Sequence, residues 1–189
     1  MSYLRPALVM LILLTLLTGI AYPLLTTGLA QLLFSQQANG SLLYHSDKLA
    51  GSALIGQNFT QPRYFWGRPS ATADSAYNAE ASGGSNLAAS NPELDKAFAE
   101  RAALLRQANP TMHGPIPVDL LTASGSGLDP QISVAAAQYQ LARVAAARQL
   151  PPAQVARLIA EYSERPVPSF IGTTTVNVLQ LNQALDALQ

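Results

Sequence analysis

The chain has 189 residues, and its 11 Lys and Arg balance its 11 Asp and Glu, so the formal net charge is zero. Such a balance gives no excess of positive charge that would indicate binding to nucleic acid or to an anionic membrane surface. The sequence contains no Cys, which excludes disulfides, thiol catalysis and thiolate metal sites. Its two histidines, His45 and His113, lack a third ligand at a usable spacing, so no zinc site is expected.

The first predicted element is a membrane span. No charged residue occurs from Pro6 to Phe34, and Ala7–Leu25 is almost wholly apolar. About 20 apolar residues, rising about 1.5 Å each in a helix, match a hydrocarbon core of about 30 Å. The pattern predicts a short cytoplasmic segment at residues 1–6, a transmembrane helix at 7–30 and a juxtamembrane connector at 31–50.

A secretory signal peptide is the alternative, because Arg5 precedes the apolar block. Signal peptides have apolar regions of about 7–15 residues that end at a small-x-small cleavage site. Here the apolar run continues through Pro23, which should kink the helix, and no clean Ala-x-Ala site follows, so an uncleaved anchor is favoured. Arg5 is the only charged side chain before the span, and the positive-inside rule then predicts a cytoplasmic amino terminus and an external C-terminal domain.

Small and polar residues within the span share one face of an ideal helix. They are Thr15, Thr18, Gly19, Tyr22 and Thr26. Such a face lets a partner helix approach closely, with hydroxyls available to bond across the interface. The alternative is that each threonine bonds to its own preceding turn and is merely tolerated in the span.

Residues 51–189 are long enough for one domain with a modest core. Strands are predicted over Gly51–Phe59, Pro117–Thr122 and Thr174–Val178. Asp74–Ser90 is rich in Ala, Ser, Gly and Asn and is predicted to be a long loop. With the helices that follow, these elements predict a mixed α/β domain, extracytoplasmic and preceded by a single transmembrane helix.

Two of the predicted helices carry clear start signals. Asn91 is a cap followed by a proline at the first helical position. The longest helix is capped by Asp129, or begins slightly later from Ser133. In chain order, the four predicted helices cover Pro92 to about Gln107, Gln131–Leu150, Pro152 to about Glu164, and the leucine-rich end to Leu188.

The run Ser124, Gly125, Ser126, Gly127 before a helix start is similar to a phosphate cradle, in which glycines permit close backbone approach. It lacks the lysine of a P-loop and the spacing of a dinucleotide fingerprint. Asp129 would also lie at the helix end where a phosphate should bind. A structural turn is therefore the favoured interpretation.

Nucleophilic catalysis would need a base near one of these serines, and His113 and Asp119 are close in sequence. No nucleophile-elbow pattern surrounds either serine, so a triad is disfavoured. Arg143 and Arg148 could bind an anion, but arginines on an Ala-rich helix are usually solvated or paired. A membrane-anchored hydrolase that uses Ser126 stays open as an alternative, as does an exported binding protein released by cleavage.

Six motifs then occur in order, and together with the single span they closely resemble the C subunit of the Kdp-type potassium-transporting ATPase. They are GSALIGQNF (51–59), YFWGRPSA (64–71), GGSNLAASNPEL (83–94), VDLLTASGSGLDPQIS (118–133), QLARVAAAR (140–148) and VNVLQLNQALD (176–186). The resemblance covers nearly the whole chain. It departs at Gln131, where many members have His.

The resemblance implies a noncatalytic accessory subunit of a bacterial inner-membrane complex. With the topology predicted from Arg5, its C-terminal domain would lie in the periplasm. Its implied partners are a P-type subunit that hydrolyses ATP, a channel-like subunit that selects potassium, and membrane lipid. The family is also described as a catalytic chaperone that raises the ATP affinity of the hydrolysing subunit. No intrinsic cofactor is implied, and the matching residues for ATP are Gln140 and the run Ser124, Gly125, Ser126 and Gly127.

The predicted topology conflicts with that nucleotide role, because an external domain holds Gln140 where ATP is absent. An external domain would instead pack on the channel subunit or cap the potassium entrance. Tyr64, Phe65 and Trp66 would then supply contact area, while small residues such as Gly83 allow close approach.

Overall fold

A computed structural model describes residues 3–188 of the chain. The chain divides into two compact units, one that ends at Leu43 and one that begins at Tyr44. The first unit is built on an apolar helix, and the second combines helices with a small sheet. This arrangement confirms the predicted class, a mixed α/β domain preceded by a single apolar helix.

Helix α1 (Leu4–Leu33) is 30 residues long and is the one helix in the described chain that is long and apolar enough to cross a membrane. Its middle is a π turn at Leu17–Ala21, in which the Tyr22 N–H donates to the carbonyl of Leu17. The proline expected to kink the helix comes directly after this turn: Pro23 has no N–H and crowds the preceding turn. A wider turn at this point accommodates it, as is typical of π bulges.

After α1 the chain forms a short helix α2 (Ser35–Ala38) and then a two-stranded sheet of β1 (Leu42–His45) and β2 (Lys48–Ser52). The strand predicted over Gly51–Phe59 is wrong beyond its first two residues. The chain turns there, and the Gly56 N–H donates to the carbonyl of Leu128 at 2.9 Å. A side chain at position 56 would collide with the Tyr77 ring, so this glycine serves close packing against a loop.

The sheet of the second unit has three short antiparallel strands in the order β3, β5, β4. Strand β3 (Gln131–Ser133) and strand β4 (Ser163–Glu164) both pair with the central β5 (Thr175–Asn177), and Val176 lies opposite both Ile132 and Ser163. The prediction of a strand over Thr174–Val178 is therefore confirmed in its central residues. Val176 is completely buried because it belongs to the central strand of the sheet.

The helices of the second unit are α3 (Pro92–Ala108), α4 (Val134–Arg148), α5 (Pro152–Glu161) and α6 (Val178–Asp186). Asn91 caps α3 as predicted, because its side chain accepts a hydrogen bond from the Glu93 N–H at 3.0 Å. Helix α4 begins from Ser133, whose hydroxyl accepts from the Ala136 N–H at 3.0 Å. The later of the two predicted starts is thus correct, because residues 131–133 pair as a strand first.

Two further predictions need correction. Pro117–Thr122 is not a strand; Val118–Leu120 forms a 3-10 turn in which the Leu120 N–H donates to the carbonyl of Pro117. Helix α5 ends at Glu161 rather than Glu164, because the next residues join the sheet as β4. The predicted loop over Asp74–Ser90 is confirmed, since no helix or strand occurs there.

The core of the second unit lies between the sheet and helices α4, α5 and α6. Completely buried members include Phe65, Ala136, Ala137, Val144, Val155, Val176, Leu181 and Leu185. Helix α3 is more peripheral, and Leu105 is its one buried residue. The peripheral helix leaves room for a cavity against the loops that precede it.

Candidate functional site

The segment Pro62–Trp66 begins in a turn and pairs with no strand, and side chains from two helices bond to the backbone of Phe65 and Trp66 instead. Asn182 on α6 accepts from the Phe65 N–H at 2.9 Å and donates to the Phe65 carbonyl at 3.0 Å. Gln140 on α4 accepts from the Trp66 N–H at 2.8 Å and donates to the Trp66 carbonyl at 3.1 Å. Each side-chain amide supplies the donor and the acceptor that a neighbouring strand would otherwise provide. This allows an irregular segment to lie in the core.

Arg143 completes this network one turn after Gln140. Its guanidinium donates to the carbonyls of Pro62 at 2.6 Å and Tyr64 at 3.0 Å, and to the Gln140 side-chain oxygen at 2.6 Å. It also lies over the Trp66 ring, 4.3 Å from the ring centre. Burial lowers the pKa of the Arg143 guanidinium to about 10, which leaves it charged at neutral pH.

Arg148, further along α4, holds the same part of the segment. Its side chain is completely buried and donates to the carbonyl of Arg63 at 2.7 Å and to the Asp186 carboxylate at 2.7 Å. Asp186 also accepts from the Tyr64 hydroxyl at 3.2 Å. The sequence-based expectation of solvated or simply paired arginines was therefore incomplete, because both bind backbone carbonyls of one segment.

Gln140, the residue that the resemblance assigns to ATP, is 0% exposed. Besides Trp66 and Arg143, its amide donates to the carbonyl of Ala136 at 3.3 Å. Every donor and acceptor of the amide thus has a protein partner. A contact between Gln140 and a nucleotide stays a prediction, and it would require this network to open.

The run Ser124–Gly127 is a turn joined to the preceding loops, and the next helix begins only at Val134. The Ser124 hydroxyl accepts from the Gly127 N–H at 2.8 Å, and the Ser126 hydroxyl accepts from the Leu128 N–H at 3.1 Å. Gly127 has a φ of 68°, and a Cβ there would lie 2.5 Å from the side chain of Thr72. The glycine is needed for this conformation and packing.

Within the same turn, the Ser126 carbonyl accepts from the Gly83 N–H at 2.9 Å. A Cβ on Gly84 would lie 3.2 Å from the Gly125 carbonyl oxygen. Gly84 therefore permits close approach within this chain, whereas the sequence pattern was interpreted as a partner surface; a Cβ on Gly83 would meet only the Ala81 carbonyl, at 3.9 Å. Nucleotide binding by Ser124, Gly125, Ser126 or Gly127 stays a prediction.

Arg68 and Asp129 link two loops beside this turn through an ion pair of 3.0 Å. Asp129 also accepts from the Gln131 N–H at 3.0 Å, so it caps a strand entry rather than a helix. The Tyr77 hydroxyl donates to the Arg68 carbonyl at 2.6 Å. Burial and then the nearby Asp129 raise the pKa of Tyr77 to about 12, so this phenol is neutral at physiological pH.

The groups of the disfavoured triad have other partners. The Asp119 carboxylate accepts from the N–H and the hydroxyl of Ser133, at 2.7 and 3.2 Å. His113 is exposed, whereas Ser124 is 4% exposed and bonded within its own turn. Among residues 3–188, no group of three His, Cys, Asp or Glu side chains is placed to hold a metal ion.

The small and polar residues of α1 do not form one straight stripe. The π turn contains Thr18 and Gly19 and lies between Thr15 and the pair Tyr22 and Thr26. One extra residue in a turn rotates the remainder of the helix by about 100°. The Thr18 hydroxyl donates to Leu14 at 2.6 Å and the Thr26 hydroxyl to Tyr22 at 3.0 Å, within the same helix. Contact between this face and a partner helix stays a prediction.

Sequence reasoning missed the side-chain network around Pro62–Trp66. It assigned Phe65 to a contact surface, whereas Phe65 is 0% exposed and belongs to the core. One usable signal was present: Gln140 and Arg148 are eight residues apart on an Ala-rich helix, and this spacing places them on the same face. Which segment they hold could not be read from that spacing.

Comparison with known proteins identifies the family. The family described as K+-transporting ATPase, c chain (KdpC), matches residues 4–187. The potassium-transporting ATPase KdpC subunit of Serratia proteamaculans (strain 568) is 79% identical to this chain over 189 residues, and the match covers both proteins completely. That of Yersinia enterocolitica is 68% identical over 187 residues, 99% of this chain and 94% of its own length. That of Erwinia tasmaniensis is 60% identical over 189 residues, with both chains completely covered. With the single apolar helix and the mixed α/β unit in place, the chain belongs to the KdpC family, the c chains of K+-transporting ATPases.

Proposed function

We propose that this chain is a noncatalytic accessory subunit of an ATP-driven potassium-uptake complex, which it helps to assemble and stabilise. The observation that carries the proposal is helix α1: it spans 30 residues, and none of its most apolar window is buried within the chain. Those side chains are therefore left for lipid and for partner helices. Family membership supports a potassium-transporting ATPase as the assembly.

The proposed partners are the subunit that hydrolyses ATP and the channel-like subunit that selects potassium. Within α1, Gly19 is the proposed site for a partner helix, because Thr15 lies one turn before it and the two small residues together form a shallow helix surface. Small residues let helix backbones approach closely in lipid, where packing rather than water exclusion drives association. We infer that Thr15 and Gly19 pack against a helix of one of these subunits.

The second unit is proposed to lie outside the inner membrane, following the single positive charge of Arg5 before the span. The family resemblance also implies a role in raising the ATP affinity of the hydrolysing subunit. The buried, fully bonded amide of Gln140 favours the assembly role over a direct nucleotide contact. An effect on ATP affinity would then be transmitted through the assembled complex.

The test is recovery of the complex from native membranes in mild detergent, with a C-terminal tag on this chain. The double variant Thr15→Leu, Gly19→Leu should lower recovery of the partner subunits about tenfold, since helix–helix packing contributes about 1–2 kcal/mol. Gly28→Leu is the matched control, because Gly28 is the other glycine of α1 and lies nine residues after Gly19, outside the surface formed by Thr15 and Gly19. Unchanged recovery with the double variant would refute the packing site, and recovery of the wild-type chain alone would refute the assembly role.

A further inference from the structure

A cavity of about 320 Å³ opens in the second unit, between the peripheral helix α3 and the loops that precede it. Its walls are largely apolar and are formed by Phe59, Trp66, Leu104, Leu105 and Leu120. This volume lies at the lower end of the range for small-molecule sites, which combine apolar walls with a few polar groups. Nothing in the network that holds Pro62–Trp66 requires such a space.

The polar groups that line the cavity give it a positive charge. No Asp or Glu contributes to the lining, whereas Arg68 and Arg101 both do. Arg68 is balanced by Asp129, yet its Nε is buried without a hydrogen-bond partner. Tyr77 also lines the cavity and adds no negative charge, because its pKa is raised to about 12.

Arg101 supplies the uncompensated charge. One of its terminal nitrogens donates to the carbonyl of Leu121 at 2.7 Å, and it takes part in no ion pair among the described residues. Arg101 is partly buried, which lowers the pKa of its guanidinium, while the nearby charge of Glu100 opposes that shift. A cation with spare donors beside apolar walls is best satisfied by an anion that also has an apolar body.

We propose that this cavity binds a monoanionic amphiphile, a carboxylate with a medium-length apolar chain. The chain would lie against Phe59, Trp66 and Leu105, and the carboxylate would accept hydrogen bonds from the Arg101 guanidinium. A neutral apolar ligand would leave the remaining donors of Arg101 without acceptors. A polyanion such as a nucleotide would exceed the single net positive charge and would place phosphates against apolar walls.

Trp66 is the one Trp of the chain and lines the cavity, so its fluorescence reports directly on occupancy. The full chain, in phosphatidylcholine nanodiscs at neutral pH, is titrated with sodium octanoate and separately with octanol. We expect a saturable change with octanoate and about tenfold weaker binding of octanol, because the charge-assisted hydrogen bonds are lost. Arg101→Gln should weaken octanoate about tenfold and leave octanol unchanged.

Arg106→Gln is the matched control, because Arg106 is exposed on the same helix and does not line the cavity. Should Arg101→Gln fail to fold, Leu104→Glu serves instead: Leu104 is 55% exposed, and the new carboxylate would repel octanoate from the cavity. A response that does not saturate, equal binding of octanol and octanoate, or insensitivity to both cavity variants would overturn the proposal.

Discussion

Replacing Gln140 by Met removes the amide that links α4 to the Pro62–Trp66 segment while keeping a side chain of similar length. The Trp66 N–H and carbonyl then lose their partners, at 2.8 and 3.1 Å, and each unsatisfied buried group costs about 1–3 kcal/mol. Because Trp66 is only partly buried, water can relieve some of this loss. We expect the free energy of unfolding to fall by about 3 kcal/mol.

The assay is urea unfolding of the full chain in mild detergent, monitored by circular dichroism at 222 nm. The dependence of the unfolding free energy on urea concentration is compared between variants. Gln138→Met is the matched control, because Gln138 is exposed two residues earlier on the same helix. A loss below about 0.5 kcal/mol for Gln140→Met, the range of ordinary surface changes, would refute the reasoning. A loss of the expected size would mean that altered ATP affinity in a Gln140 variant can arise from a weakened fold.

The Tyr77 phenol has a pKa of about 12 in the folded chain and 10 when unfolded, so stability should fall by about 2–3 kcal/mol as pH rises from 10 to 12. Tyr77→Phe should reduce the fall of the free energy of unfolding with pH, measured by urea unfolding at pH 9 to 11.5. Tyr44→Phe, at a 62% exposed position, should leave that fall unchanged. The same pH dependence in both variants would contradict the assignment to Tyr77. For orientation, Ser90→Cys adds a single exposed thiol to a chain without Cys. A membrane-impermeant maleimide should label it in intact spheroplasts, and labelling only after permeabilisation would place the second unit in the cytoplasm.

Several elements could be predicted from local patterns because their causes are local. The uncharged run after Arg5 is helical whatever surrounds it, since a helix satisfies its own backbone hydrogen bonds. The Asn91-Pro92 start of α3 depends on one side chain and one fixed φ angle, and it was located to the residue. The family resemblance rests on ordered motifs and likewise needed no coordinates.

The errors share a physical cause, which is that tertiary partners decided the conformation. Gly51–Phe59 has the composition of a strand, but Gly56 is held by the carbonyl of Leu128 and the ring of Tyr77. Pro117–Thr122 coils into a 3-10 turn, and Asp119 from that turn accepts two hydrogen bonds from Ser133. These partners lie far along the chain, so a local window contains no sign of them.

Short-range chemistry determines the amino-terminal apolar helix and the helix caps, and the order of the motifs indicates the class of fold and the family. All of this information is present in the unfolded chain. Only folding brings Gln140, Arg143 and Arg148 onto the backbone of a segment about 80 residues earlier, and only folding places Arg101 beside an apolar cavity. Hydrogen bonds and uncompensated charges of this kind depend on distances of a few ångströms between distant parts of the chain. Such distances cannot be predicted from composition or periodicity, because the packing of the folded chain determines them.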